Sequence, residues 1–230
     1  MLSPAVEDYL KTIYKLQSGD EGTASTSDVA RAMGVAPSSA SNMIKRLAAL
    51  RLVEHRSYHG VSLTDAGKRI ALEIIRHHRL LETYLREVMG FDWDQMHAEA
   101  ELLEHHISEE FEDRIEALLG YPTHDPHGDP IPTRDGEVSA RETARLSVDL
   151  AGRDVSIVRL VDQDPIRLRM LETKGLLPGT SVHIDETSTS DRIIVRCPDG
   201  VSRIDADLAH SVLVVVDDDV DDAESGRPAQ

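Results

Sequence analysis

The stretch "HAEAELLEHH", residues 97–106, crowds three glutamates and three histidines into ten positions. On a helix turning about 100° per residue, His97, Glu101, Glu104 and His105 fall at i, i+4, i+7 and i+8 and share one stripe. Upstream, His78 and Glu82 stand at i, i+4 and offer a second face of the same chemistry. Imidazole nitrogens and carboxylate oxygens on two facing helices can surround a divalent cation in an octahedral or similar centre. The same residues can also be solvated charges and helix-surface ion pairs, and spacing alone leaves both readings open. Asp8, early on a first helix, could reach such a centre and tether its own module to it, or could simply favour the helix N-terminus. Sulfur takes no part, because the one cysteine, Cys197, lies far from the stripe; a lone cysteine also rules out an internal disulfide.

Helices must carry these groups, and the apolar periodicity supplies them. "SPAVEDYLKTIYKLQ" places Val6, Tyr9, Leu10, Ile13 and Leu16 on one face, with Pro4 at the first helical position. Two short helices follow, about Ser27 to Met33 and Pro37 to Leu50, joined by a turn at Gly34 in helix-turn-helix spacing. A hairpin from Leu52 to Leu63, turning at His59-Gly60, completes a winged helix-turn-helix. A long helix from Thr64 to Gly90 and another from Trp93 to Leu119 carry the His/Glu residues, and "YPTHDPHGDPIPTRDGEV" reads as an ordered or semi-ordered linker. Four alternating segments, "VSIVRLV", "TSVHIDE", "RIIVRCP" and "HSVLVVV", predict strands of a small β-domain, with a short helix in "LRMLETKGLLPG".

The fold class is therefore mainly α with a small β-domain. The expected domains are 1–73, winged helix-turn-helix; 74–140, helical metal-binding and dimerisation domain with linker; 150–216, β-domain; and 217–230, an acidic tail expected to be disordered. The chain of 230 residues carries a net charge of −17, which looks hostile to DNA. Yet residues 1–73 hold nine Lys/Arg against eight Asp/Glu, so the acidity belongs to the remainder, including "DDDVDDAE". No apolar run approaches the roughly 20 residues of a membrane span and no signal peptide opens the chain, so a cytoplasmic protein without membrane contact is expected.

The segments "VEDYLKTIY", "RHHRLLE" and "EAELLEH", with the helix-turn-helix and wing between them, resemble the diphtheria-toxin-repressor family of metal-dependent transcriptional regulators. The likeness covers residues 5 to 140 closely, and the C-terminal part is similar to the family's SH3-like (FeoA-like) β-barrel. It implies a primary metal site at Asp8, His78, Glu101, Glu104 and His105. Iron-responsive members place sulfur where this chain has Asp8 and Glu101, whereas manganese-responsive members place carboxylates. Hard oxygen donors lower the preference for metals late in the Irving–Williams series, so Mn²⁺ is expected, with Fe²⁺ as the alternative. The likeness also implies a second site at Glu82 and His97, for which Asp125 and His127 in "DPHG" and Asp162 or Asp164 in the β-domain are candidates. Lys11 departs from the pattern, standing where short manganese regulators carry a glutamate ligand.

In a helix-turn-helix the N-terminal residues of the second helix approach base edges. Here these are Pro37, Ser38, Ser39, Ser41 and Asn42, while Lys45, Arg46, Arg56 and His59 suit phosphate contacts from helix and wing. Serines at a helix start also serve as ordinary caps. The expected function is a homodimeric, manganese-activated repressor of metal-uptake genes that binds double-stranded operator DNA and takes no small organic substrate. The apolar face of Leu103, Ile107, Phe111, Ile115 and Leu118 is the candidate dimer interface, or else an intrachain core. Two other classes compete: a metal-dependent hydrolase, which lacks a separate general base here, and a winged-helix regulator of an organic ligand. The expectation is that the protein is not an enzyme.

Overall fold

The computed structural model describes residues 2–17, 22–56, 60–139, 141–198 and 200–217. The chain divides into two compact units, the first made of residues 1–81, 99–121 and 131–138 and the second of residues 82–98, 122–130 and 139–230.

In the first unit α1 (Pro4–Gln17), α2 (Thr26–Ala32) and α3 (Pro37–Ala49) precede the hairpin β1 (Val53–Arg56) and β2 (Gly60–Leu63). Tyr9, Leu10 and Ile13 of α1 share one core with Val29 and Ala30 of α2 and Ala40, Ile44 and Leu47 of α3, all buried. Burying each such aliphatic chain is worth about 1.5–3 kcal/mol, so α1 and the helix-turn-helix move as one body. The turn between α2 and α3 needs a left-handed residue, and Gly34 supplies it at φ +62°. The wing pairs antiparallel from Val53 opposite Leu63 to Arg56 opposite Gly60. These elements match the winged helix-turn-helix expected above.

The long α4 (Asp65–Glu87) follows, then α5 (Trp93–Leu103) and α6 (Glu109–Leu118). A single helix from Trp93 to Leu119 is not what forms. Helix α5 closes through the His106 N to Leu103 O bond at 2.9 Å, and Ser108 starts α6 by accepting from Phe111 N at 3.2 Å. A serine with an acidic run behind it is a strong N-cap, and it wins over continuation of the helix.

Helix α6 is anchored to α4 by a buried ionic network. Arg76 Nε donates to Glu112 Oε1 at 2.5 Å, Arg76 Nη2 lies 2.8 Å from Glu116 Oε1, and Arg76 Nη1 donates to Pro132 O at 2.9 Å. His77 joins it, with Nε2 at 3.2 Å from Glu112 Oε2 and Nδ1 at 3.1 Å from Glu104 O.

In the second unit six strands, β3 (Ala144–Arg145), β4 (Asp154–Leu160), β5 (Ser181–Ile184), β6 (Arg192–Cys197), β7 (Gly200–Asp205) and β8 (Val212–Val216), pair in the order β3-β8-β4-β5-β6-β7. All pairings are antiparallel, and β3 and β7 do not pair with each other, so backbone bonds do not close the sheet into the expected barrel. Helices α7 (Pro165–Thr173) and α8 (Ala206–Ala209) and a 3-10 turn at Val148–Leu150 accompany it. Strands β4, β5, β6 and β8 answer to the four alternating segments; β3, of two residues, and β7, broken by charges, carry too little apolar alternation to be seen. The acidic tail beyond Asp217 lies outside the described residues. Among the described residues, no helix is long and apolar enough to cross a membrane.

Burial alone would raise the Glu112 carboxyl, but hydrogen bonds from His77 and Arg76 outweigh it and hold the group at about 2, below its ordinary 4.5. A depressed carboxylate stabilises the fold above its unfolded value, and that stability drains away as pH falls from about 4.5 toward 2. Glu112→Gln should cost about 3 kcal/mol at neutral pH, and the gap to wild type should shrink across that acid window in denaturant titrations.

Candidate metal centre

The break after α5 aims two side chains at α1. Glu104 is fully buried, and His105 reaches Asp8 Oδ1 with Nε2 at 2.9 Å and Glu7 Oε2 with Nδ1 at 2.7 Å. His105 Nε2 also lies 3.5 Å from Glu104 Oε1. Donor atoms of Asp8, Glu104 and His105 all fall within 4.8 Å of one another. A divalent ion about 2.0–2.6 Å from each ligand spans donors up to roughly 5 Å apart, so this set fits one. Burial pushes the Asp8 carboxyl up, Glu104 and Glu101 push it further, and only His105 opposes them. Such crowding of like charge calls for a cation.

His78 and Glu101 belong to the same cluster but face an ammonium. Lys11 Nζ donates to Glu101 Oε1 and to both oxygens of Glu104, each at 2.8 Å, and lies 3.4 Å from His78 Nδ1. His78 Nδ1 meets Glu104 Oε2 at 2.6 Å and lies 3.8 Å from Glu101 Oε1. Of the five residues the resemblance implies, Asp8, Glu104 and His105 form one group, while His78 and Glu101 lie on the side of Glu104 where Lys11 stands.

A second group forms inside the other unit. Donor atoms of Glu82, Asp125 and His127 also lie within 4.8 Å of one another, and all three residues are buried. His97 Nδ1 contacts Glu82 Oε1 at 2.9 Å, and His127 Nδ1 lies 3.6 Å from Glu82 Oε2. The Pro/Gly-rich stretch is ordered by its own side chains and by the sheet. Asp125 Oδ1 accepts from the backbone N–H groups of His127 and Asp129 at 2.9 Å each, and His127 O accepts from Leu160 N of β4 at 2.7 Å. Trp93 packs on the His127 ring at 5.1 Å and is itself held by Glu172 of α7 through Nε1 at 3.0 Å. Burial disfavours a charged His127, but the hydrogen bond with Asp125 and the charges of Glu82, Asp125 and Asp129 outweigh it and raise the imidazole. Hard oxygen and nitrogen donors, buried and carboxylate-rich, fit a divalent ion here too.

Asp164 does other work: it caps α7, accepting from Ile166 N at 2.8 Å. Asp162 accepts from Asp164 N at 2.9 Å and pairs with Arg167.

Profiles of known families match three segments of the chain. The N-terminal DNA-binding domain of iron-dependent repressors matches residues 1–61, their metal-binding and dimerisation domain residues 64–133, and the FeoA domain residues 150–216. The iron-dependent repressor IdeR of Mycobacterium leprae is 31% identical over 227 residues, spanning 93% of this chain and 97% of its own. The chain belongs to the iron-dependent repressor family. It is a metal-dependent transcriptional repressor. The regulator MntR of Bacillus velezensis is 37% identical over 53% of this chain and 84% of its own. A solved manganese-dependent transcriptional repressor in complex with manganese is 36% identical, with a TM-score of 0.82 over 92% of this chain and 99% of that one.

The repressor presents the N-terminal end of α3 to solvent. Pro37, Ser38, Ser39 and Asn42 are exposed and Ser41 is half-buried. None of the serines caps the helix, because the N-cap is Ala36, which offers no side-chain acceptor. Lys45 and Arg46 are exposed on the same helix. The backbone of Arg56 pairs in the wing, while His59 lies outside the described residues.

Sequence reasoning passed over Glu7 and His77 as partners of the centre. The signal was present: Glu7 and Lys11 are one turn apart on α1, and His77 adjoins a proposed ligand. What it lacked was the bend after Leu103 that brings His105 onto Glu7.

Gly128 holds the second group's loop in place at φ +83°, and a Cβ there would meet Val158 O at 2.0 Å. Gly128→Ala should therefore destabilise the repressor by at least about 1–3 kcal/mol, read as a lowered melting temperature, with His127 shifted in NMR spectra.

Proposed function

We propose that the protein is a manganese-activated, homodimeric repressor that binds operator DNA controlling metal uptake. The observation that carries this reading is the donor set: Asp8, Glu104 and His105 in one group, and Glu82, Asp125 and His127 in the other, with His97 against Glu82 and no sulfur in either. Bound there, a divalent ion supplies the positive charge that lets closely packed carboxylates persist without protonation.

The chain's own residues convert that charge balance into DNA reading. Asp8 lies on α1, whose opposite face is fused by Tyr9, Leu10 and Ile13 to the core of α2 and α3. Holding Asp8 against Glu104 and His105 therefore sets the attitude of α3. His77, between Glu104 O and Glu112, ties the same turn to α6. On α6, Ile115 is buried while Phe111 and Leu118 remain 44% and 64% exposed, which supports an apolar dimer face. A dimer with α1 fixed in this way holds two reading helices at the one-turn spacing of operator half-sites. Ser38, Ser39, Ser41 and Asn42, with Pro37 at the helix start, would approach base edges; Lys45, Arg46, Arg56 and His59 would meet phosphates.

Iron activation is the second reading, favoured by the full-length likeness to an iron-dependent repressor. Fe²⁺ accepts the same oxygen and nitrogen donors, and the two differ only in ranking.

Operator binding measured by gel shift against a panel of divalent ions decides between them. Mn²⁺ should promote binding at the lowest free concentration; Fe²⁺ doing so instead would give the second reading, and binding undiminished by chelator would defeat both. His105→Ala and Glu104→Ala should each weaken metal-dependent binding roughly 100-fold, the upper range of typical couplings, while circular dichroism shows the fold retained.

A further inference from the structure

Lys11 is 5% exposed, and its ammonium lies among groups that a metal ion would otherwise bridge. Its three protons face three carboxylate oxygens, all at 2.8 Å: Oε1 of Glu101 and both oxygens of Glu104. Glu104 is the shared wall of two compartments. Toward one it presents Oε1 to His105 Nε2 at 3.5 Å, with Asp8 beyond; toward the other it presents Oε2 to His78 Nδ1 at 2.6 Å, with Glu101 beside it. The ammonium touches both oxygens of Glu104 and so borders both compartments, but its remaining partners, Glu101 and His78, place it in the second.

Resting on the metal-activated reading above, we propose that Lys11 is a built-in cation that takes the place of a second metal ion. It limits this centre to one ion, on the Asp8–Glu104–His105 side, and holds Glu101 and Glu104 in position in the metal-free protein. Charge balance supports this. Glu7, Asp8, Glu101 and Glu104 bring four carboxylates together, which two divalent ions would neutralise; one ammonium and one divalent ion leave a single negative charge to the imidazoles. A second divalent ion would have to lie beside the ammonium or expel it from a buried position, and either arrangement is electrostatically poor. His78 thereby becomes a positioning residue, holding Glu104 through Nδ1, rather than a ligand of that ion.

The test needs no variant at first. Crystals of the full chain in excess manganese should show one anomalous peak bonded to Asp8, Glu104 and His105, with Lys11 Nζ still on Glu101. A further peak bonded to both His78 and Glu101 with Lys11 displaced would overturn the proposal while leaving the functional reading intact. An empty Asp8 side would defeat the functional reading itself. K11E converts the cation into a ligand, and metal analysis after dialysis should then find one more manganese per protomer than wild type. An unchanged count overturns the proposal. K11M keeps the apolar stem without the charge, and its metal-free form should melt several degrees below metal-free wild type, with excess manganese narrowing the gap; an unchanged metal-free melting temperature also overturns it.

Discussion

Gathering carboxylates out of water is the constraint around which the first unit is built. A buried carboxylate is tolerated only when a cation or a set of donors meets it. Glu104, with no exposure at all, is met by Lys11 and His78, and its neighbour His105 is met by Glu7 and Asp8. Because Asp8 and Lys11 come from the helix that also closes the core of the helix-turn-helix, local charge balance becomes a statement about where the DNA-reading helix points. On the function proposed above, a divalent ion bound here would not deform a core but would decide which of two charge states a helix contact can adopt.

The same turn is held from behind. His77 links the backbone carbonyl of Glu104 to Glu112, and Glu112 is clamped by Arg76, so the residues at the centre and the helix with the exposed apolar face share one hydrogen-bonded chain. Burial resists charging His77, yet the bonds to Glu112 and Glu104 O raise the imidazole and favour its charged form. By linkage, that contribution is complete below pH 6.5 and fades as pH rises through the higher folded value. The second unit repeats the principle with different parts. Glu82 and Asp125 draw His127 toward its charged form, and Asp125 spends its other capacity on the backbone of its own loop.

How far the chain could be read from its letters depended on the range of the forces involved. Apolar periodicity is local, so α1, the α2–α3 pair, the wing and four of the six strands were legible. The helix break at Glu104–Ser108 was not, because a stripe at i, i+4, i+7 and i+8 is equally consistent with one helix, and only the cap at Ser108 ends it. The stretch around Asp125 and His127 read as a linker on its Pro and Gly content; its order comes from Asp125 bonding its own backbone and from His127 O on β4. Asp164, a carboxylate suited to a metal by type, caps α7 by its position in the chain.

By itself, the sequence determined which chemistry was possible: hard donors on helical spacing, a nearly neutral DNA-reading module beside an acidic remainder, and a small β-domain. These follow from residue type and periodicity, which need no long-range contact. Tertiary structure alone decided how the donors divide. Glu82, Asp125 and His127 gather apart from Asp8, Glu104 and His105, and Lys11 enters the midst of His78, Glu101 and Glu104. Partition of this kind depends on distances of a few ångströms between residues more than ninety positions apart, and Coulomb energy is decided at that scale.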